Sequence, residues 1–248
     1  GTPTVFSPIQ LEMLLSAIHD NFSISDNAEF TFEANPGTLT SEKLDTLLSG
    51  GVNRLSIGVQ SFNDNELKAI GRIHNAKEAY DTVLAAHKHG FNNINIDLMT
   101  SLPFQSRQSA LESLQTASKL PITHISAYSL IVEDGTPLKT ELDAGSLIIA
   151  DEDEDRDIYA KTTDFLQSIG FFKYEISNFS KPGYECKHNI KYWECREYIG
   201  LGTAAHSFMD NMRYSNSTAL TEYMSENHRE YTPLTDNDKI SEFMMMGL

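Results

Sequence analysis

Four polar side chains stand at or near the ends of strand-like runs. Glu33 closes residues 29–34 (EFTFEA), and Gln60 follows residues 54–59 (RLSIGV). Asp97 lies inside residues 93–99 (NINIDLM), and Ser129 lies near the end of residues 124–130 (HISAYSL). An acid or amide among Ile and Leu is costly unless it has a partner. Taken singly, each could cap a neighbouring loop. Three at the same edge of one sheet point instead to a site for a small polar ligand. A carboxylate can bind an ammonium or a ribose hydroxyl, and Gln can both donate to and accept from hydroxyls. Arg72, twelve residues beyond Gln60, could grip a ligand carboxylate through two parallel hydrogen bonds, or be a surface arginine at a helix end.

The last third of the chain holds a second constellation, Cys186-Lys187-His188-Asn189-Ile190-Lys191-Tyr192-Trp193, with the only Trp. A His with neighbouring Tyr and Trp suits a flat aromatic cofactor, with imidazole as iron ligand and rings as stacking partners. The plainer alternative is a His that only hydrogen-bonds. Zinc is disfavoured, because Cys186 and His188 lack a second ligand pair. The small residues of Tyr198-Ile199-Gly200-Leu201-Gly202-Thr203-Ala204-Ala205-His206-Ser207 permit close backbone approach, to a ligand or to another strand. There is no Gly-x-Ser-x-Gly elbow and no Gly-x-x-x-x-Gly-Lys phosphate loop.

These residues need a frame to bring them together. Residues 8–21 carry apolar positions at a helical period, with Ser7 as cap and Pro8 in the first turn. Further helices are predicted from Thr40 to about residue 49, at 75–89, at 105–118 and at 151–169. Between them lie the strand-like runs at 29–34, 54–59, 93–99 and 124–130, with a fifth candidate at 172–176. Six of the seven residues 151–157 are acidic, read as carboxylates favoured at a helix N-terminus. Strands alternating with helices imply parallel strands with crossover helices. Both an open doubly wound sheet and a (β/α) barrel satisfy the pattern. Either places functional side chains at the C-terminal ends of the strands. After about residue 180 the pattern turns to polar loops with aromatic residues, so the expected domains are residues 1–180 and 181–248.

Composition narrows the class. With 248 residues, 40% of them hydrophobic, the chain can bury a sizeable core. Nineteen Lys and Arg against 35 Asp and Glu give a net charge of −16, which repels phosphate backbones, so no nucleic-acid partner is expected. No apolar stretch approaches a membrane span. Two cysteines exclude a disulfide scaffold and imply reduced thiols and a cytoplasmic setting. The opening Gly1-Thr2-Pro3 and the apolar finish read as the ends of a piece of a longer protein.

Six motifs together carry a resemblance. They are Gly1-Thr2-Pro3, Glu33-Ala34-Asn35-Pro36-Gly37, Ser56-Ile57-Gly58-Val59-Gln60-Ser61-Phe62, Asn95-Ile96-Asp97-Leu98, Tyr174-Glu175-Ile176-Ser177-Asn178-Phe179 and His188-Asn189-x-x-Tyr192-Trp193. Over essentially its whole length the chain resembles the radical S-adenosylmethionine (SAM) proteins related to oxygen-independent coproporphyrinogen III oxidase. The last two motifs point to the heme-chaperone branch, the HemW type. The resemblance implies an α/β fold, a partial (β/α)6 TIM-like barrel lacking its first strand here, with a C-terminal extension. It implies SAM contacts at Glu33, Gln60, Arg72 and Asp97, and a weaker one at Ser129. Gly1 and Thr2 would belong to the family's Gly-Gly-Gly-Thr-Pro turn at the methionine end of SAM. His188 would be the heme contact.

The family's three-cysteine stretch for a [4Fe–4S] cluster is expected upstream of Gly1, with no metal site in the chain itself. The family has glycine in the loop where this chain has Ser101 and Phe104, a departure that bears on that loop's geometry. The implied function is heme binding, with a cluster and SAM in the full-length protein, and transfer of heme to an acceptor protein, a membrane protein among the candidates. The alternative is oxidative decarboxylation of coproporphyrinogen III in porphyrin biosynthesis. An absent barrel strand leaves an open sheet edge that invites a homodimer.

Overall fold

In the computed structural model, residues 2–225 and 229–247 are described, and they form two units, Gly1–Glu185 and Cys186–Leu248. In the first, a short turn at Pro3–Val5 leads into α1 (Pro8–Asn21). The Ser7 hydroxyl accepts the Gln10 N–H while the Gln10 side chain accepts the Ser7 N–H, so local chemistry fixes that helix start. Then follow β1 (Thr31–Ala34), α2 (Ser41–Ser49), β2 (Arg54–Gln60), α3 (Asp64–Ala69), α4 (Ala76–Lys88), β3 (Ile94–Thr100), α5 (Arg107–Ala117) and β4 (His124–Ser129). After these come α6 (Pro137–Asp143), α7 (Glu152–Ser168), β5 (Phe172–Lys173) and β6 (Asn178–Ser180). Asp151 caps α7 by accepting the N–H groups of Asp153 and Glu154, in keeping with the acidic run as a helix start.

The sheet order is β1-β2-β3-β4-β6-β5, with β1 to β4 parallel. Partners across a parallel ladder share a face. Ala34, Ile57, Ile96 and Ile125 therefore form one row, and they are buried against Leu11, Leu47, Val83, Leu114 and Leu166 of the helices. Glu33, Ser56, Asn95 and His124 form the matching row on the opposite face. Apolar residues cover one face and polar residues line the other, as in a barrel wall with helices outside. That one-sidedness decides between the two closures the pattern left open. The sheet is a partial barrel; it does not close among the described residues.

The fifth strand differs from expectation. Residues 172–176 yield only Phe172–Lys173, and the chain then reverses. Tyr174 N–H donates to the Asn178 carbonyl at 3.1 Å, and the Glu175 carboxylate accepts the Ser177 N–H at 3.1 Å. β6 inserts antiparallel beside β4, and β5 pairs with β6. The helices α3 and α6, six and seven residues long, are too short to leave a periodic pattern.

The second unit is more ordered than polar loops. It has α8 (Lys187–Trp193), a hairpin of β7 (His206–Met209) and β8 (Met212–Asn216), α9 (Leu220–Tyr223), β9 (Arg229–Pro233) and α10 (Asp236–Met246). Asp210 and Asn211, at φ 50° and 60°, make the two-residue hairpin turn, a conformation that short polar side chains tolerate. β9 pairs antiparallel with β8. Arg213 of β8 grips Glu242 of α10 through two hydrogen bonds at 2.9 and 2.7 Å.

Candidate functional site

The strand ends carry a rim of hydrogen-bonded polar groups. Asn35, just past β1, donates to the Thr2 hydroxyl at 2.8 Å and accepts from the Arg72 guanidinium at 3.4 Å. The opening turn is tied down beneath it. The buried Thr4 hydroxyl meets Thr38 at 2.7 Å, and the Lys43 ammonium of α2 donates to the Thr4 and Thr38 carbonyls at 2.6 and 3.1 Å. Gln60, 3% exposed, closes β2 with φ 68°, where the β2–β3 register slips between Ile57 and Gln60. Its side-chain oxygen accepts from the Tyr128 hydroxyl at 3.4 Å. Gly58 makes this convergence possible. A Cβ there would stand 2.9 Å from Asn35 Oδ1 and 2.9 Å from Gln60 Nε2.

Two buried devices hold the segment between Gln60 and Arg72. Glu66 is fully buried, and its carboxylate accepts from Ser61 at 2.6 Å, Gln105 at 3.1 Å and Ser109 at 2.6 Å. This ties the turn after β2 to α5. His74 bonds the Val59 carbonyl through Nε2 at 3.1 Å, which anchors the chain two residues past Arg72. Burial lowers the pKa of His74, so its ring is neutral and Nε2–H donates to Val59.

A polar chain runs down the inner face below the rim. Tyr174 O–H donates to His124 Nε2 at 2.8 Å, and His124 Nδ1–H donates to Asn95 Oδ1 at 2.6 Å. Asn95 Nδ2 donates to Ser56 and to Asp97, both at 2.8 Å. The Asn95 carbonyl oxygen is an acceptor only, so it fixes the proton of His124 on Nδ1. Burial, reinforced by the Arg54 charge, lowers His124 to about 3. Burial raises Asp97, with Glu33 adding to the effect; bonds from Asn95 and Ser126 and the Arg54 charge oppose it.

Tyr128 is where these groups meet electrostatically. Burial pushes its phenol up to about 12. The Asp97 and Glu33 charges add to this, while Arg72 and the Gln60 bond oppose it. One hydroxyl thus feels all four of the side chains singled out by residue type: Glu33, Gln60, Arg72 and Asp97. Thr2 joins them through Asn35. Gly1 lies outside the described residues. Ser129 sits one residue beyond Tyr128, but its hydroxyl donates to Asp155 of α7 at 2.7 Å and meets Thr100 at 3.3 Å. Asp155 also accepts from Ser101. Ser101 and Phe104 both take left-handed backbone, φ 59° and 65°, so the loop keeps a glycine-like path without glycine. A separate cavity of about 910 Å³ beside α3 and α6, bounded by Lys68, Ile70, Phe104 and Leu138, is lined by none of the rim groups.

Sequence reasoning missed Asn35, Gly58, Tyr128 and His124 as site residues. Asn35 sat inside a turn signal, Asn-Pro-Gly, that explained it already. Alternation along 124–130 does place His124, Ser126 and Tyr128 on one face, and that signal was legible. In the second unit, His188 of α8 packs edge-on against Tyr192 at 4.8 Å between centroids, and Tyr192 tilts against Tyr198 at 4.6 Å. The small-residue stretch approaches a strand: a Cβ on Gly200 would lie 2.2 Å from the His206 carbonyl oxygen. Among the described residues no group of three or more His, Cys, Asp or Glu is placed to hold a metal ion, and no helix is long and apolar enough to cross a membrane.

The profile of the radical SAM superfamily matches residues 1–117. The chain is 40% identical to the heme chaperone HemW of Lactococcus lactis, covering all of this chain and 66% of that protein. It is 38% identical to HemW of Bacillus subtilis, covering all of this chain and 67% of that one. The chain belongs to the HemW family of radical SAM proteins. It spans about two thirds of the length of these two HemW relatives. Among solved structures, coproporphyrinogen III oxidase (HemN) from Escherichia coli, described as a radical SAM enzyme, superposes with a TM-score of 0.83 at 23% identity. That likeness covers all of this chain and 61% of the HemN chain, and it establishes the fold. This chain thus shares the HemN-type partial-barrel fold, and its polar rim lies at the ends of the parallel strands.

Proposed function

We propose that this HemW-family chain is the SAM- and heme-binding part of a heme chaperone that passes heme to an acceptor protein. The observation that carries the SAM half is the placement of Glu33, Gln60, Arg72 and Asp97 about the ends of neighbouring strands, where Gln60 accepts from the Tyr128 hydroxyl and Arg72 donates to Asn35 just past β1. They come from three strands and one loop, and they match the polar parts of a sulfonium nucleoside. Arg72 would hold the carboxylate, and Glu33 the ammonium. Gln60 and Asp97 would take the ribose hydroxyls, and Thr2 would close the methionine end beside Gly1. Ser129, bound to Asp155, would support this rim rather than touch the nucleoside through its hydroxyl.

The residues fit SAM in charge and hydrogen-bonding type. The absence of any Cβ at Gly58 leaves Asn35 and Gln60 free to turn toward it. SAM, when bound to a reduced iron–sulfur cluster, supplies radical chemistry. The described residues do not fit the cluster itself, since Cys186 and Cys195 both lie in the second unit. We place its thiolates upstream of Gly1. What this chain's own residues do is bind and orient. The neutral His124 and the Asn95 amide hold Asp97 in place. Burial of Gln60, beside the half-buried Tyr128, limits water at the bonds that aim the rim.

In the second unit, His188 beside Tyr192 supports the heme half, and the HemW relatives are named heme chaperones. The test is a hemin titration of the full-length protein, cluster rebuilt, as wild type and His188→Ala. Loss of binding in the variant is expected; unchanged binding removes His188 from the site. Incubation with coproporphyrinogen III, SAM and a reductant is expected to yield no protoporphyrinogen IX. Sustained product formation would replace the chaperone reading with the oxidase.

A further inference from the structure

The second unit contains a groove of about 550 Å³ with an imidazole on each of two elements. His188, Lys191 and Tyr192 come from α8, while His206 opens β7. The turn Ile199-Gly200-Leu201 also lines it, and its two large side chains are 54% and 62% exposed. Exposed Ile and Leu beside a pair of tilted tyrosine rings is an arrangement for an apolar ring.

The turn that lines the groove is held by close backbone packing. Gly200 lies so close to the His206 carbonyl that no Cβ fits, 2.2 Å at its ideal position. Gly200 N–H donates to Ser207 at 2.9 Å, and Asn216 donates to the carbonyls of Gly200 and Gly202 at 3.3 and 2.8 Å. The turn is therefore pinned to β7 and β8, and His206 is carried on a hydrogen-bonded strand edge rather than a free loop. From α8, His188 packs on Tyr192 and Tyr192 on Tyr198, which orders that part of the lining. Burial raises the pKa of Tyr192, with Tyr198 adding to it, so its hydroxyl stays protonated.

We infer that His206 is a second heme contact, and that His188 and His206 both serve the iron of one porphyrin bound in this groove. The inference rests on the heme-chaperone reading and extends it by naming the second imidazole. Imidazole is a common axial ligand of heme iron. The apolar turn and the tyrosines would face the macrocycle, and the Lys191 ammonium, which also lines the groove, would suit a propionate.

The test uses the full-length protein, titrated with hemin and, separately, with iron-free protoporphyrin IX. Wild type is expected to give the low-spin spectrum of iron with two nitrogen ligands. His206→Ala and His188→Ala are each expected to give a high-spin spectrum and at least tenfold weaker hemin binding. Added imidazole should restore the low-spin form in His206→Ala, which separates lost ligation from lost folding. Protoporphyrin IX, lacking iron, should bind all three proteins alike. A His206→Ala protein with the wild-type spectrum and affinity overturns the inference. If His188→Ala alone loses hemin, the chaperone reading stands and the second contact falls. If wild type binds no hemin, both fall.

Discussion

Gly58→Ala isolates the ligand-binding arrangement from the stability of the fold. The backbone of Gly58 is in an ordinary strand conformation, so alanine adds no left-handed strain, and it removes the entropic cost of a strand glycine, about 0.5–1 kcal/mol. The new methyl would meet two side-chain ends, Asn35 Oδ1 and Gln60 Nε2, each at 2.9 Å. The next atom, the Ala34 carbonyl oxygen, is at 3.8 Å, an ordinary contact. Both amides can rotate away, so the clash is relieved by moving the groups proposed to position SAM. Asn35 would then lose its hold on Arg72, and Gln60 its bond from Tyr128. At about 0.5–1.5 kcal/mol for each of two hydrogen bonds, SAM binding should weaken by about 1–3 kcal/mol, or roughly 5- to 150-fold. Calorimetric titration of the cluster-reconstituted full-length protein with SAM, paired with thermal melting, reads both quantities. The expected result is weaker SAM with a melting temperature unchanged or modestly lower, because the two bonds lost from the folded protein offset the gain from removing glycine. Unchanged SAM affinity would refute the placement of SAM at this rim. A large fall in melting temperature would show that the methyl meets backbone rather than side chains.

Other substitutions test the inner face and its supports. Asp97→Asn should weaken SAM about tenfold, for one charge-assisted bond. A carboxyl raised by burial contributes stability below its ordinary pKa that is lost as pH rises through the raised value. The variant should therefore melt higher than wild type at about pH 8 and no higher near pH 4. His124 carries the opposite dependence. Its folded pKa is lowered from 6.5 to about 3, so the protein loses stability as pH falls below 6.5. At 1.36 kcal/mol per unit, this single group accounts for about 2 kcal/mol by about pH 5. Urea unfolding across that range should show the slope in wild type and a flatter acid limb in His124→Gln. Glu66→Ala strands the buried Ser61 hydroxyl and the half-buried Gln105 and Ser109 donors and should cost about 1–3 kcal/mol in urea unfolding, against a near-neutral change for the exposed Glu12→Ala.

The local elements were open to reading because their causes are local. Ser7, Thr40, Asn75 or Asp151 beginning a helix is chemistry completed within four residues, and an apolar period reports which side of a helix or strand will be covered. The polar types at the strand ends and the motifs around them marked the rim and the family. What lay beyond the sequence were pairings between distant segments. Gln60 meets Tyr128 across 68 positions, and Arg72 meets Asn35 across 37. The reversal that slots β6 antiparallel beside β4, and the three-stranded sheet in what read as loops, are register choices of the same kind. Alternation in a strand says which residues share a face; it is silent on which strand lies alongside, because that is set by long-range burial and by where the backbone hydrogen bonds find partners. The sequence alone thus determined the parts and their chemistry, and tertiary structure decided that one face would stay polar and carry them together.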